Sequence, residues 1–251
     1  MRQQRGATLI IVLILLLAIT IIGIAAVRQG MVGLNIATNS QTQQLLIQNS
    51  DAAFFNTERQ ANLVQSLSSK GMFGYISGAA NQDKELIFCF RGTEVDFFDI
   101  SRASIMEWGE GNTAPTNNNL GTDGYCNAKD TNINFFTSGR RAVMTQVAVK
   151  FSSQLVSDPF YGQILGSDDK TVKLERSKPL KIFAVSIMPT LTSTDPDRIN
   201  ECLNSHMNEV NIPTGITPDT GADKSVTQCL SELNVPFRTY VTEYVLAQDF
   251  V

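Results

Sequence analysis

Apolar residues are unevenly spread along this chain. Between residues 7 and 27 there is no charged side chain, and Leu, Ile, Val and Ala fill nearly every position. As a helix this stretch would span about 31 Å, the thickness of a bilayer core. Thr8 and Thr20 can return their hydroxyls to helix carbonyls, and Gly23 lets a neighbouring helix approach closely. Past Arg28 the all-round apolar character gives way to a stripe. Leu34, Ala37, Leu45, Leu46, Ala52, Ala53, Phe55, Leu63, Val64 and Leu67 recur at mostly helical spacing, with no proline to interrupt them. The polar run at residues 35–44 is the part of the stripe expected to meet water or to fray. One long helix is predicted from Ala7 to about Ser68. Gly30 and Gly33 weaken it, and Lys70-Gly71 forms its end.

Shorter, β-rich runs follow. Residues 85–91 form a compact apolar run. Residues 142–151 alternate, which places Val143, Thr145, Val147, Val149 and Phe151 on one face. Residues 181–190 and 237–246 give two more strands. Turn-rich loops separate them, the densest in Gly, Asn and Thr lying between Trp108 and Cys126. A long helix followed by several such strands predicts an α+β fold. In it the N-terminal helix, membrane-spanning in its first half, packs on one face of an antiparallel sheet. The predicted division is a leader at 1–6, a transmembrane half-helix at 7–28, an extracytoplasmic half-helix at 29–69 and a globular head at 70–251.

Charge and cysteine usage narrow the setting. The chain has 251 residues with 20 basic and 24 acidic side chains, so it carries no global nucleic-acid footprint. The four cysteines, Cys89, Cys126, Cys202 and Cys229, contain no C-x-x-C pair. An even number beyond a membrane segment predicts two disulfides in an oxidising compartment. Three connectivities are open, of which the sequential one is simplest. Arg2 and Arg5 before the span outweigh Arg28 after it, which keeps the N-terminus cytoplasmic and the head outside.

The apolar run begins abruptly. A basic leader ends at Gly6, and Ala-Thr-Leu-Ile starts at once. An ordinary secretory signal would have a shorter apolar region, and a plain uncleaved anchor would not need the leader boundary. The segment resembles the class III signal of type IV pilins, and over residues 1–60 it is most similar to the PilX-like minor pilins. The resemblance implies cleavage between Gly6 and Ala7, methylation of the new N-terminus, and retention of the helix in the mature chain. Two positions depart from the common pilin pattern: Ala7 stands where phenylalanine is usual, and Ile11 where a glutamate is usual. An unpaired carboxylate in a bilayer is costly. In that family it is held to pair with the amine of the neighbouring subunit. A subunit with Ile11 instead is best tolerated where no subunit precedes it, at the fibre tip.

The resemblance implies a non-enzymatic role in the complex that starts and caps the fibre, supporting twitching motility, adhesion or DNA uptake. Its implied partners are other minor pilins, a PilY-type tip adhesin, the major pilin, the inner-membrane assembly platform and the prepilin peptidase. The implied location is the bacterial inner membrane before assembly and the pilus after it. The alternatives are a type II secretion minor pseudopilin, or a membrane-anchored periplasmic binding or enzymatic domain.

The residues offer little other chemistry. No G-x-S-x-G, P-loop or H-E-x-x-H occurs, and the sole histidine, His206, has no catalytic constellation in sequence. Aspartates at Asp168-Asp169, Asp195/Asp197/Glu201 and Asp219/Asp223 match no EF-hand and suit turns. No cofactor is expected, calcium being the one ion these clusters would suit. The basic run Lys170, Lys173, Arg176, Lys178 and Lys181 lacks interleaved aromatics and is read as a solvated hairpin, without direct DNA contact. The Cys202–Cys229 interval encloses a polar, proline-containing segment at 211–224, and is expected to face outward.

Overall fold

The computed structural model describes residues 7–92, 94, 96–117, 120–129, 135–137, 142–151 and 179–245. The leader, Asp168-Asp169 and the basic residues at 170–178 lie outside them. The chain divides into two compact units, one ending at Gln44 and the other running from Leu45.

The first unit is helical wherever it is described. It belongs to α1, a helix of 52 residues at Ala7–Glu58. Every described side chain at positions 9–41 is exposed. Two threonine hydroxyls within it are tied to the helix's own carbonyls, Thr20 Oγ1 donating to Leu17 O at 2.8 Å and Thr38 Oγ1 to Leu34 O at 2.8 Å. They therefore present little polarity to the surroundings.

The second unit contains the end of α1 and the rest of the fold. Here the helix becomes amphipathic: Leu46, Ser50, Ala53 and Thr57 are buried at intervals of four and three. The helix ends at Glu58, ten residues before the predicted end. Arg59 is extended, with φ −61° and ψ 125°, and α2 follows at Gln60–Ser66. Polar residues explain the break. Asn56 Nδ2 and Thr57 Oγ1 turn back to carbonyls one turn earlier, at 2.8 and 3.0 Å. Asn62 Nδ2 then donates to the Asn56 carbonyl at 2.8 Å, satisfying it without a further helical turn. A short α3 occupies Met72–Ile76.

Five antiparallel strands form one sheet in the order β2-β1-β3-β4-β5. They are β1 at Glu85–Phe90, β2 at Ala103–Met106, β3 at Met144–Phe151, β4 at Pro179–Ile187 and β5 at Phe237–Val245. Two further α-helices are α4 at Pro196–Ser205 and α5 at Val226–Glu232. The sequence thus identified β1, β3, β4 and β5, and the α+β arrangement of a long N-terminal helix packed on an antiparallel sheet is as expected.

Both faces of the sheet are covered, where one was foreseen. On the first face Leu86, Phe88, Val147, Val149, Phe151 and Ile182 meet Ala53 of α1 and Met72, Phe73 and Ile76 of α3. The α1 contact also has a polar seam. Ser50, Ser186 and Thr145 join hydroxyl to hydroxyl at 2.7 and 2.8 Å, and all three are fully buried. On the second face Met144, Val185 and Ile187 pack on Ile199 and Leu203 of α4 and on Val226 and Leu230 of α5. The Cys202–Cys229 interval is therefore partly core. Its flanks are these two helices, and the polar stretch at 211–224 is the part that lies mainly at the surface. All eight residues of β3 are buried. The alternation seen in sequence is real, but the second face of β3 is Met144, Gln146, Ala148 and Lys150, which includes a cation.

Candidate functional site

Two features offer themselves as functional surfaces, the exposed apolar part of α1 and the second face of the head. The α1 segment is long and apolar enough to cross a membrane. Ile11 lies within it, exposed between apolar neighbours. Ala7 is the first described residue of the helix, while Gly6 lies outside the described residues. Exposure of this much contiguous apolar surface is costly in water and needs a lipid or protein cover.

The cysteines pair in sequence order. Cys89–Cys126 joins the end of β1 to the loop that follows β2, with Cα atoms 4.9 Å apart. Cys202–Cys229 joins α4 to α5 across 5.6 Å. Local chemistry sets up both. Gly124 lets the 120–129 loop lie on the sheet, since a Cβ there would collide with the backbone of Ser104 and Ile87. Asp195 caps α4 by accepting from Asp197 N at 3.0 Å. Ser225 and Gln228 form a capping box at α5.

The remaining candidates separate in space. Asp195 is occupied as a cap, Asp197 meets Lys129 Nζ at 2.8 Å, and Asp219 accepts from Thr113 Oγ1 at 2.9 Å. Among the described residues no group of three His, Cys, Asp or Glu side chains is placed to hold a metal ion. His206 caps the end of α4, and partial burial lowers its basicity. A shallow groove of about 450 Å³ runs beside Cys126, and its lining includes Arg91, Arg102, Tyr125, Asn127, Phe135 and Asn200.

A charged row was missed entirely in sequence. Glu85, Lys150, Lys181 and Glu243 stand opposite one another in register on β1, β3, β4 and β5. Glu85 is fully buried and Lys150 is 1% exposed. Glu209, from the segment after α4, closes over the row. Lys150 Nζ lies 3.4 Å from its Oε1 and Lys181 Nζ 2.7 Å from its Oε2. The hydrogen bond to Glu209 raises the Lys181 pKa above its ordinary value of 10.5. Burial pushes Glu209 up, but Lys181 and Lys150 outweigh it and hold its carboxyl below the usual 4.5. Lys181 is therefore a member of this row and not of a solvated hairpin. The available signal was a lysine and a glutamate inside otherwise apolar strands.

Comparison with the models of known families, with curated proteins and with solved structures yields no match to this chain.

Proposed function

We propose that this chain is a minor subunit of a type IV pilus-like fibre, non-enzymatic, acting in the complex that initiates and caps the fibre. One observation carries the reading. An uncharged stretch of membrane length continues, as a single unbroken helix, into a disulfide-bonded α+β head. A simple anchor needs about 20 apolar residues, and the surplus helix suits packing against neighbouring helices in an assembly. The Gly6–Ala7 boundary supports prepilin processing. Ile11 supports a place where no preceding amine awaits a carboxylate, at the tip. On this reading the partners are other minor pilins, the major pilin, a tip adhesin and the inner-membrane assembly platform.

The test is mass spectrometry of the chain recovered from membranes and from sheared fibres. The expected N-terminus is a methylated Ala7. An intact leader would leave an ordinary anchored head and remove the proposal. For the tip position, a deletion strain is complemented with native chain or with Ile11→Glu. The native chain is expected at fibre ends and the variant along the shaft. Identical distributions would show that position 11 does not set location.

A further inference from the structure

The two edges of the sheet differ. β2 is four residues long and fully buried. Just beyond it Glu107 bridges to Thr116, and Gly124 N donates to Ser104 Oγ at 2.9 Å, so a loop lies along that side. β5 is nine residues long, and among the described residues nothing pairs with its outer side. It carries none of the usual guards of an open edge, neither proline nor lysine nor a bulge in its register. Val241, at its centre, is 52% exposed.

Both ends of β5 show which way its backbone groups point. Antiparallel partners alternate between pairs that exchange both hydrogen bonds and pairs that exchange none. Met188 N donates to Pro236 O at 3.0 Å, one step beyond the Ile187–Phe237 pair, so that level is a bonded one. By alternation along the register, Arg238, Tyr240, Thr242 and Tyr244 turn their backbone groups towards β4. At the far end Pro179, which has no N–H to give, stands opposite Val245 on an unbonded level, as the same alternation requires. The N–H and C=O groups of Phe237, Thr239, Val241, Glu243 and Val245 therefore point out of the sheet. Charges flank them. Arg238 lies 5.5 Å from the ring of Tyr240 and has no ion pair among the described residues. Glu243 ends the charged row, its side chain 60% exposed and 3.6 Å from a Lys181 that sits closer to Glu209.

We propose that the open edge of β5 accepts an extended strand from a separate polypeptide, with an acidic residue opposite Arg238 and a basic residue opposite Glu243. The outward backbone groups supply main-chain bonds at alternate residues, and the side chains between them supply selectivity. On one face of the sheet the incoming acid meets Arg238. On the other the incoming base continues the row that Glu243 ends, and an apolar residue covers Val241 beside Phe183. A second copy of this chain fits poorly. The end of α1 runs in the direction of β5, since Ser50 meets Ser186 at the level of Arg238 and Glu58 meets Tyr244 further along. Two-fold pairing of β5 with its copy would set those helix ends antiparallel, whereas chains inserted alike in one membrane start parallel. An intact leader would remove the fibre reading and leave this edge as it is.

The test is residue-resolved amide deuterium exchange of the full chain in detergent, alone and with two synthetic peptides. The matched peptide, acetyl-Thr-Lys-Thr-Val-Thr-Val-Glu-amide, is written to lie antiparallel to residues 244 to 238. The control peptide exchanges its Lys and Glu. In the chain alone the amides of Thr239, Val241 and Glu243 should exchange fast, and those of Tyr240, Thr242 and Tyr244 slowly. The matched peptide should slow the first set. The control should need about tenfold more peptide to do so, because both cross-strand charge pairs are reversed. Val241→Pro removes an outward N–H and no bond to β4, so protection should vanish while circular dichroism stays native. Arg238→Glu should shift the preference towards the control peptide. Slow exchange of both sets in the chain alone overturns the proposal, because other residues of this chain or a second copy then fill the edge already. So does a failure of both peptides to protect, or equal protection by the two.

Discussion

Each residue of the Lys181–Glu209 pair shifts in a direction that fixes its pH behaviour. Glu209 is lowered in the fold, so its contribution to stability is present above the ordinary carboxylate range and disappears as pH falls through its folded value. Lys181 is raised, so its contribution is full below 10.5 and is lost as pH rises through its folded value. Glu209→Gln should therefore lower the melting temperature near neutrality and flatten both the acid and the alkaline limb of the profile. A variant curve parallel to the native one across pH 3 to 11 (roughly the span between the carboxylate and lysine ranges) would contradict this. The buried hydroxyl seam makes a second residue-level prediction. Ser186 sits between Ser50 and Thr145, and Ser186→Ala leaves both hydroxyls short of a partner. The expected cost is about 1–2 kcal/mol, read from denaturant unfolding. A loss below about 0.3 kcal/mol, well under the usual worth of a buried hydrogen bond, would mean that the seam relaxes freely.

Among the elements, the disulfide-closed pair α4 and α5 is the informative case. The Cys202–Cys229 bridge closes a loop of sequence separation 27, for which the chain-entropy argument gives about 3 kcal/mol. The double variant Cys202→Ser/Cys229→Ser should lose roughly that much stability, and amide exchange in α4 and α5 should rise before that in β3 and β4. Uniform exchange across the sheet would argue that the helices are not a separable layer. The strands were legible because each is a continuous or alternating apolar run, as with 85–91 and 142–151. β2 was not, because Ala-Ser-Ile-Met is too short to show a period. The helices had signals that went unweighted, Asp195-Pro196 at one start and Ser225-x-x-Gln228 at the other. Proline and polar residues between the two cysteines drew attention to the exposed stretch and away from its packed flanks. A lysine and a glutamate inside apolar strands were visible in sequence, but their alignment was not, because the row exists only once the register places Glu85, Lys150, Lys181 and Glu243 side by side.

For the whole molecule, the division near Gln44 predicts separable behaviour. The second unit has its own core on both faces of the sheet, while the first contributes a helix whose side chains are exposed from residue 9 to residue 41. A chain beginning at Leu45 should therefore be soluble without detergent, keep both disulfides and unfold in one transition. The full chain should stay with membranes after an alkaline wash. Aggregation of the shortened chain, or release of the full one, would contradict the division.

The way the end of α1 seats on the head has a mechanical consequence. Leu46, Ser50, Ala53 and Thr57 bear on the head, and Ser50 meets Ser186 of β4, which lies between β3 and the edge strand β5. A tensile load drawn along the helix would enter the sheet there, next to β3, and would try to shear a close-packed contact rather than peel an edge strand. Both disulfides lie off that route, one between α4 and α5 and one between β1 and the loop beyond β2. Tension on this protein would thus be borne by non-covalent packing, and reducing its cystines should leave the force needed to pull the helix from the head nearly unchanged.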